Sequence, residues 1–363
     1  MDRDRIVELD GLRGVAILMV ISFHYLNNQL LDSTYKIGKM LCKITSFGWV
    51  GVDLFFVLSG FLIGSLLLRT KNTSNYFSTF YIRRLVRIIP NYYLLLIIFL
   101  IINCIPYFLD DYMLSGNYTI PVGSYFLMTH NFYMANLNNM GNGVLSITWS
   151  IGIEEQFYLI IPLLIYYLDK KWLVIVLLFT VAGASIIRFH FTHWIPAYVL
   201  LPSRMDSIST GVLVALFYSH TKFRSVSLRY RNGIITLLFL NVLLCGYLYF
   251  RYGDLGSIKH SLFACFFAGC LVLALVETPL YSRVLRNRYL CLVGTISYSL
   301  YLFHYLILAM FHHFAGDRNG LSLNNFRDLI VTSLSLIASF IFSWIIYKWV
   351  ETPMVRIGKN FKY

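Results

Sequence analysis

Long apolar runs separated by short polar segments recur along the whole chain. Each run is about 20 residues long, which is the length that a helix needs to cross a bilayer. The runs lie near residues 10–30, 47–68, 88–107, 145–168, 172–190, 201–219, 233–250, 260–278, 289–311 and 328–348. The pattern predicts an all-α, polytopic membrane helical bundle with about ten transmembrane helices.

One polar segment, "NYFSTFYIRRLVRIIPNYY", has a helical pattern of its own. Its apolar side chains can share one side of a helix, while Arg83, Arg84 and Arg87 lie on another. Such a pattern is typical of an interfacial helix, here at the cytoplasmic surface. Because proline disrupts helices, we expect Pro90 to separate this helix from the third span.

The composition agrees with a membrane protein, since 58% of the residues are hydrophobic and 13% are charged. The net charge of +13 would by itself suggest a nucleic acid partner. With a cytoplasmic N-terminus, however, the predicted inside segments hold 21 of the 30 Lys and Arg residues, and the outside loop 108–143 holds none. The positive-inside rule therefore predicts that both termini lie in the cytoplasm, and no nucleic acid partner is expected.

The domain organisation is predicted to be simple. No internal repeat, low-complexity linker or C-terminal globular region is visible, so residues 1–363 are expected to form one membrane-embedded domain without an appended extracytoplasmic domain. The six cysteines have no CxxC pair and no metal-ligand spacing, so no metal site is expected. A disulfide between Cys42 and Cys104 is an option that nothing else in the sequence supports.

Four predicted spans place an ionisable side chain in the outer third of the membrane, namely His24, Asp53, Glu154 and His304. Such groups are costly in a bilayer and normally face a partner or a cavity. Any one of them alone could merely hydrogen-bond a neighbouring helix. Their common depth favours a polar cavity in the outer third of the bundle.

Basic residues are expected at the cytoplasmic side of the same bundle. Ten residues separate Arg13 from His24, so the two side chains share one face of a helix, about 16 Å apart along its axis. Arg84 and Arg87 have i,i+3 spacing and can hold a phosphate together. The alternative is that these arginines only fix the topology and contact lipid headgroups.

At these residues the sequence resembles the acyltransferase-3 family of integral-membrane acyltransferases, many of which O-acetylate sugars and cell-envelope polysaccharides. The matching segments follow the family's order nearly end to end: "ELDGLRGVAILMVISFHY", "GVDLFFVLSGFLIG", "FYIRRLVRIIP", "WSIGIEEQFYL", "RMDSISTGVLVA", "ISYSLYLFHYLI" and "VETP". The resemblance implies acetyl-CoA or another acyl-CoA as donor, a glycan acceptor, and a multi-pass protein of the bacterial cytoplasmic membrane.

The resemblance also implies roles for individual residues. The family's basic-residue–ten–histidine motif falls on Arg13 and His24, its paired arginines on Arg84 and Arg87, and its glutamate on Glu154. Lesser family positions fall on Asp53, Arg204, Asp206, Ser297, Tyr298 and His304. Some family members append an extracytoplasmic esterase-like domain, so this chain is expected either to complete the transfer within the membrane or to use a separate partner protein.

Acyl transfer from a thioester to a hydroxyl needs a base and a grip on the donor. We expect His24 to be the base, with Glu154 supporting it and with Asp53 or Tyr298 at the same level. Arg13, Arg84 and Arg87 are expected to bind the phosphates of the donor.

Two alternatives remain open from the sequence. An acyl-enzyme route would need Ser297, Tyr298 or a cysteine as nucleophile, because no GxSxG elbow is present. A glycan or solute transporter could use the buried His, Asp and Glu side chains as a proton relay, although no inverted repeat is visible.

Overall fold

The structure is a computed structural model, and it describes residues 6–31, 33, 35–108, 113–114, 119–317, 323 and 325–363. Throughout these residues the regular secondary structure is helical. The helices of the first half are α1 (Val7–Ser22), α2 (Lys36–Thr45), α3 (Gly51–Thr70), α4 (Tyr76–Asn103), α5 (Val122–Phe126), α6 (His130–Leu137), α7 (Gly143–Ser146), α8 (Trp149–Tyr167) and α9 (Lys170–His190). Those of the second half are α10 (Trp194–Val199), α11 (Leu201–Tyr218), α12 (Phe223–Arg229), α13 (Arg231–Tyr252), α14 (Lys259–Leu275), α15 (Pro279–Leu285), α16 (Arg288–Thr295), α17 (Ser297–Phe314), α18 (Phe326–Ile346) and α19 (Thr352–Lys359).

Shorter helical turns adjoin several of these helices. Phe23–Asn27 and Tyr347–Glu351 are π-helical, and Gly48–Val50, Pro106–Phe108 and Gly256–Ile258 are 3₁₀-helical. The π turns extend α1 and α18 without a break.

The described residues contain nine helical segments that are long and apolar enough to cross a membrane. They are Val7–Asn27, Lys36–Thr70, Tyr76–Asn103, Gly143–Tyr167, Lys170–His190, Trp194–Tyr218, Arg231–Tyr252, Gly256–Leu275 and Phe326–Lys359. The pair α16 and α17 is bent by 74° and makes a tenth if it counts as one span. The all-helical membrane architecture is therefore confirmed, with about nine spans. The cytoplasmic position of both termini stays a prediction, and residues 109–112 and 115–118 of the loop used for it lie outside the described residues.

The predicted separate interfacial helix is wrong. Residues 76–88 form the first half of α4, which runs without interruption to Asn103 and contains Pro90 in its interior. A proline removes one backbone hydrogen bond, but a helix is the only way to pair the remaining backbone groups of an apolar segment. The arginine-rich half of α4 packs against α19, and Arg83 Nε donates at 2.9 Å to the carbonyl of Phe361, which follows the end of α19.

The chain divides into two compact units, which are described separately. Unit 1 comprises the described parts of Met1–Ala16, Val52–Thr73 and Ile153–Gly294. Within it α11 packs on α9 and α14, and α13 packs on α14. A Cβ atom on Gly60 would lie 2.0 Å from the Ile208 carbonyl oxygen, and one on Gly211 would lie 2.1 Å from that of Val57. The backbones of α3 and α11 are therefore in direct contact, as small residues permit in membrane helices.

Unit 2 comprises the described parts of Ile17–Gly51, Ser74–Gly152 and Thr295–Tyr363. Its main helix pairs are α17 with α18 and α4 with α19, and α4 also contacts α17. A buried polar cluster joins three of its elements, because the Glu351 carboxylate accepts from Ser299 Oγ at 2.7 Å and from Asn91 Nδ2 at 3.3 Å. The prediction of one domain over residues 1–363 stays a prediction.

Candidate active site

His24 lies in unit 2, in the π-helical turn Phe23–Asn27 that follows α1. A π turn accommodates one more residue than an α turn and is frequent at functional sites. The His24 side chain is only partly buried, whereas the neighbouring Tyr25 is fully enclosed. The imidazole therefore has a defined position and is not fully enclosed by the protein.

A second histidine contacts His24 directly. His304 Nε2 lies 3.1 Å from His24 Nδ1. The other ring nitrogen of His304, Nδ1, lies 2.9 Å from the Leu300 carbonyl oxygen and 2.8 Å from that of Tyr301. A carbonyl oxygen only accepts, so Nδ1 of His304 carries its proton and Nε2 of the neutral ring is an acceptor.

This pattern determines the tautomer of His24. His24 Nδ1 must donate to His304, and it also lies 3.1 Å from the carbonyl oxygen of Val20. Nε2 of the neutral His24 ring is then unprotonated and carries the lone pair that a general base needs. The His24 imidazole thus has one nitrogen held by the protein and the other available for proton transfer.

Further contacts in unit 2 hold the histidine pair. The Tyr25 hydroxyl donates to the His304 carbonyl oxygen at 3.0 Å and lies 2.7 Å from Ser339 Oγ. The Tyr305 ring lies 4.8 Å from the His24 ring, measured between centroids. Both rings of the pair therefore have contacts that restrict rotation.

Asp53, Arg204 and Asp206 lie in unit 1, within a network of buried charges. Arg204 Nη2 donates to the Asp53 carboxylate at 2.9 Å, and Ser207 Oγ donates to it at 2.8 Å. Arg204 also contacts His260 on α14 through Nη1. All these side chains are almost completely buried. The charges of Asp53 and Arg204 balance each other, which is how a membrane interior tolerates them.

A second ion pair adjoins this network. Arg188 Nη2 donates to Asp206 at 2.8 Å, and Ser261 Oγ donates to the same carboxylate at 2.6 Å. Arg188 Nε also donates to the Ser257 carbonyl at 2.6 Å. Asp53, Arg204 and Asp206 are therefore all engaged in these two ion pairs. The network as a whole connects α3, α9, α11 and α14.

Glu154 also lies in unit 1, on α8, and is partly buried. The Tyr158 hydroxyl donates to its carboxylate at 3.4 Å and lies 2.5 Å from Ser59 Oγ on α3. The carboxylate is therefore linked to α3 through one tyrosine. Arg13 lies on α1, where its guanidinium is 3.7 Å from the Asp10 carboxylate, and it lines a cavity.

The remaining predicted site residues are in unit 2. Arg84 and Arg87 are partly buried in the first half of α4. Ser297 is the first residue of α17 and is buried. The Tyr298 hydroxyl donates to the Ile88 carbonyl at 2.9 Å, so its proton is engaged with the backbone. Cys42 and Cys104 are both free thiols.

Sequence reasoning missed two members of the charged network, Arg188 and His260. Both lie at the ends of predicted spans, near 172–190 and 260–278, where an ionisable residue looks like an ordinary boundary residue. Helices α9 and α14 in fact begin and end close to those positions, and the side chains turn inward to Asp206 and Arg204. The available signal was an arginine at the end of one predicted span and an aspartate within the next. Such a pair can form a buried ion pair.

Comparison with known proteins gives a consistent result. The chain is 28% identical to O-acetyltransferase OatA of Staphylococcus aureus strain NCTC 8325 over 376 residues, which cover 96% of this chain and 57% of that protein. The identity to OatA of S. aureus strain MRSA252 is also 28% with the same coverage. The chain thus spans little more than half the length of these relatives. No solved structure gives a significant match.

A family model for an acyltransferase domain matches residues 6–348. The matched region includes α1 with the His24 turn, the buried charged network and the His304 helix. It follows that this helical membrane protein belongs to the acyltransferase-3 family.

Proposed function

We propose that the protein is a membrane-bound O-acyltransferase that moves an acyl group from an acyl-CoA to a hydroxyl of a sugar or cell-envelope polysaccharide. The observation that carries the proposal is the His24–His304 pair, in which Nε2 of His24 is available as a base. The family match supports acyl transfer, and the name of the OatA relatives supports acetyl as the group and oxygen as its acceptor atom.

The proposed chemistry uses His24 as both base and acid. Nε2 of His24 removes the proton of the acceptor hydroxyl while the hydroxyl oxygen attacks the thioester carbonyl. The C–S bond then breaks, and the Nε2 proton passes to the leaving thiolate, so that His24 returns to its starting state. His304 keeps the Nδ1 proton of His24 engaged throughout and thereby orients the ring.

Glu154 stays a proposed catalytic carboxylate, now with Tyr158 and Ser59 as its hydrogen-bonding neighbours. Because His304 contacts His24 directly, the task of orienting the base is assigned to His304. Arg13, Arg84 and Arg87 stay proposed ligands of the donor phosphates. The residues fit such a role, since guanidinium groups bind phosphate through paired N–H donors.

The location and partners are proposals of the same kind. We place the protein in the cytoplasmic membrane of a bacterium, with the acyl-CoA reaching it from the cytoplasm and the glycan from the other side. A separate acceptor-side protein is an additional partner to be sought. Transport remains the less favoured function, because the family match concerns acyl transfer and the buried charges of unit 1 are paired with each other.

The test is transfer of radiolabelled acetyl from acetyl-CoA in membranes that contain the protein, with envelope glycan from the same cells as acceptor. We expect His24→Ala to lower kcat by about 10² or more, as loss of a general base does. His193→Ala is the matched control, because His193 is an exposed histidine at the start of α10. Transfer by His24→Ala at the level of the control would exclude His24 as the base.

Two further changes in the same assay test the other assignments. Glu154→Gln is expected to lower kcat, because it removes the carboxylate charge while keeping a hydrogen-bond acceptor for Tyr158. Arg84→Gln with Arg87→Gln is expected to raise the KM for acetyl-CoA and to leave kcat nearly unchanged. An unaltered KM would remove this arginine pair from the donor site.

A further inference from the structure

Unit 1 contains a cavity of about 510 Å³ at the ends of four helices. The start of α1, the end of α3, the first residue of α9 and the end of α11 contribute to its wall. The charge distribution of the sequence predicts that all four of these ends lie on the cytoplasmic side. The cavity is thus where a ligand from the cytoplasm would meet unit 1.

The wall of this cavity is positively charged. Arg13, Arg69 and Lys170 contribute three cations, and Asp10 contributes one carboxylate, which lies 3.7 Å from the Arg13 guanidinium. Lys170 is also the first residue of α9, whose N-terminus adds a partial positive charge, as does that of α1 nearby. The combination favours an anionic ligand.

The rest of the wall is mostly apolar, with Ser65 and Ser219 as its other polar residues. Leu9, Leu62 and Leu68 line it, together with the rings of Phe61 and Tyr218, whose centroids are 5.5 Å apart in an edge-to-face arrangement. Such a surface suits a ligand that carries a flat or apolar portion beside its negative charges. A nucleotide with a long, mostly uncharged arm combines these properties.

We propose that this cavity binds the phosphate-bearing end of the acyl-CoA donor, with Arg69 and Lys170 as phosphate-binding residues beside Arg13. The inference rests on the proposed function, because an acyl-CoA is the ligand. It adds two residues on α3 and α9 that no sequence motif indicated. It also makes unit 1, through this cavity, a donor-binding unit in its own right.

The test uses purified protein in nanodiscs of phosphatidylcholine, which has no net charge. Binding of coenzyme A is measured directly, and KM and kcat for acetyl-CoA are measured with the envelope glycan acceptor. We expect Arg69→Gln with Lys170→Gln to raise the Kd of coenzyme A and the KM of acetyl-CoA by roughly tenfold or more, since each lost contact is a charge-assisted hydrogen bond. The kcat should change little, because neither residue contacts the reacting atoms.

The matched control is Lys222→Gln with Arg224→Gln, which removes the same charge from exposed positions at α12, outside the cavity lining. If both double variants bind coenzyme A like the wild type while the wild type transfers acetyl, the cavity assignment is wrong and the proposed function stands. If the wild type neither binds coenzyme A nor consumes acetyl-CoA, the proposed function itself fails.

A lipid headgroup is the other source of phosphate for such a cavity. The same variants are therefore compared in nanodiscs that contain phosphatidylglycerol, with native mass spectrometry of the retained lipid. Loss of retained phosphatidylglycerol in Arg69→Gln with Lys170→Gln, without any change in coenzyme A binding, would assign the cavity to lipid and overturn the proposal.

Discussion

At the scale of single residues, the proposed chemistry depends on which nitrogen of His24 carries a proton. The backbone carbonyls of Leu300 and Tyr301 fix the proton of His304, and His304 in turn fixes that of His24. The arrangement resembles the role of the aspartate in a serine protease triad, which orients a histidine and selects its tautomer. Here a neutral histidine does this in a membrane interior, where an ionised carboxylate would be more costly.

This arrangement predicts different effects for two substitutions of His304. His304→Leu removes the acceptor for the Nδ1 proton of His24, so kcat should fall by about tenfold or more with little change in KM. His304→Gln keeps an acceptor in its side-chain amide and should recover part of the activity. Both variants are compared in the acetyl transfer assay, with the thermal unfolding temperature measured in parallel.

A purely structural role for His304 would give another result. Both variants would then lose stability in proportion to activity, and the kcat per folded molecule would stay at the wild-type value. The kcat per folded molecule, compared with the unfolding temperature, therefore separates orientation of the base from simple packing.

Single residues also show how much of the candidate site could be predicted from the sequence. His24 and His304 could be selected because histidines are rare in spans, and their depth could be counted along each helix. The hydrogen bonds of His304 to Leu300 and Tyr301 could not be predicted, since they depend on the local path of α17. For the same reason, the backbone contact of the Tyr298 hydroxyl was not foreseen.

At the scale of helices, the crossing of α3 and α11 depends on two glycines. A Cβ atom on Gly211 would overlap the carbonyl oxygen of Val57, so Gly211→Ala should force the two helices apart. We expect a loss of about 1–3 kcal/mol of stability, as overpacking costs. Gly183→Ala on α9 is the control, because nothing lies within 4 Å of its added Cβ and alanine favours a helix.

Thermal unfolding of the two purified variants in the same detergent measures this difference. The unfolding temperature of Gly211→Ala should fall, whereas that of Gly183→Ala should stay the same or rise. Equal unfolding temperatures would mean that the crossing can widen without cost.

The buried pair of Asp53 and Arg204 joins the same two helices and gives a further prediction. Asp53→Asn leaves the Arg204 cation buried beside a neutral partner, which should cost about 3–5 kcal/mol. The double change Asp53→Leu with Arg204→Met removes both charges and should cost less than the sum of the single changes. Unfolding measurements on the two singles and the double give the coupling energy.

Additive effects in this cycle would show that the ion pair contributes nothing to stability. If Asp53→Asn kept full stability but lost acetyl transfer, Asp53 would have a catalytic role rather than a structural one.

Helix positions followed well from the hydrophobic pattern, because a run of about 20 apolar residues has few alternatives in a bilayer. The incorrect prediction that Pro90 separates two helices has the same origin. Proline weakens a helix in water, where another conformation can pair the backbone with solvent. In α4 no such alternative exists, and the helix continues from Tyr76 to Asn103.

At the scale of the whole molecule, the orientation of the chain is open to direct measurement. The distribution of Lys and Arg predicts that Gly123, on α5, faces outward and that Ser225, on α12, faces the cytoplasm. In a cysteine-free background, Gly123→Cys should react with a membrane-impermeant maleimide in intact cells. Ser225→Cys should react only after the membrane has been opened.

Both positions are exposed in the structure, so a difference in labelling reports their side of the membrane. Labelling of Ser225→Cys alone in intact cells would reverse the topology and move the Arg69 and Lys170 cavity to the outer face.

The π turn at Phe23–Asn27 has a consequence for comparing sequences. A π turn is equivalent to one residue inserted into an α-helix, and each residue of an α-helix rotates the chain by about 100°. A relative whose first span is a plain α-helix would therefore align with a one-residue gap within this turn, and the residues after the turn would point in a different direction. The ten residues between Arg13 and His24 lie almost wholly in the regular α1, ahead of the hydrogen bond from the Asn28 amide to the Phe23 carbonyl, so this count should be the same in such a relative.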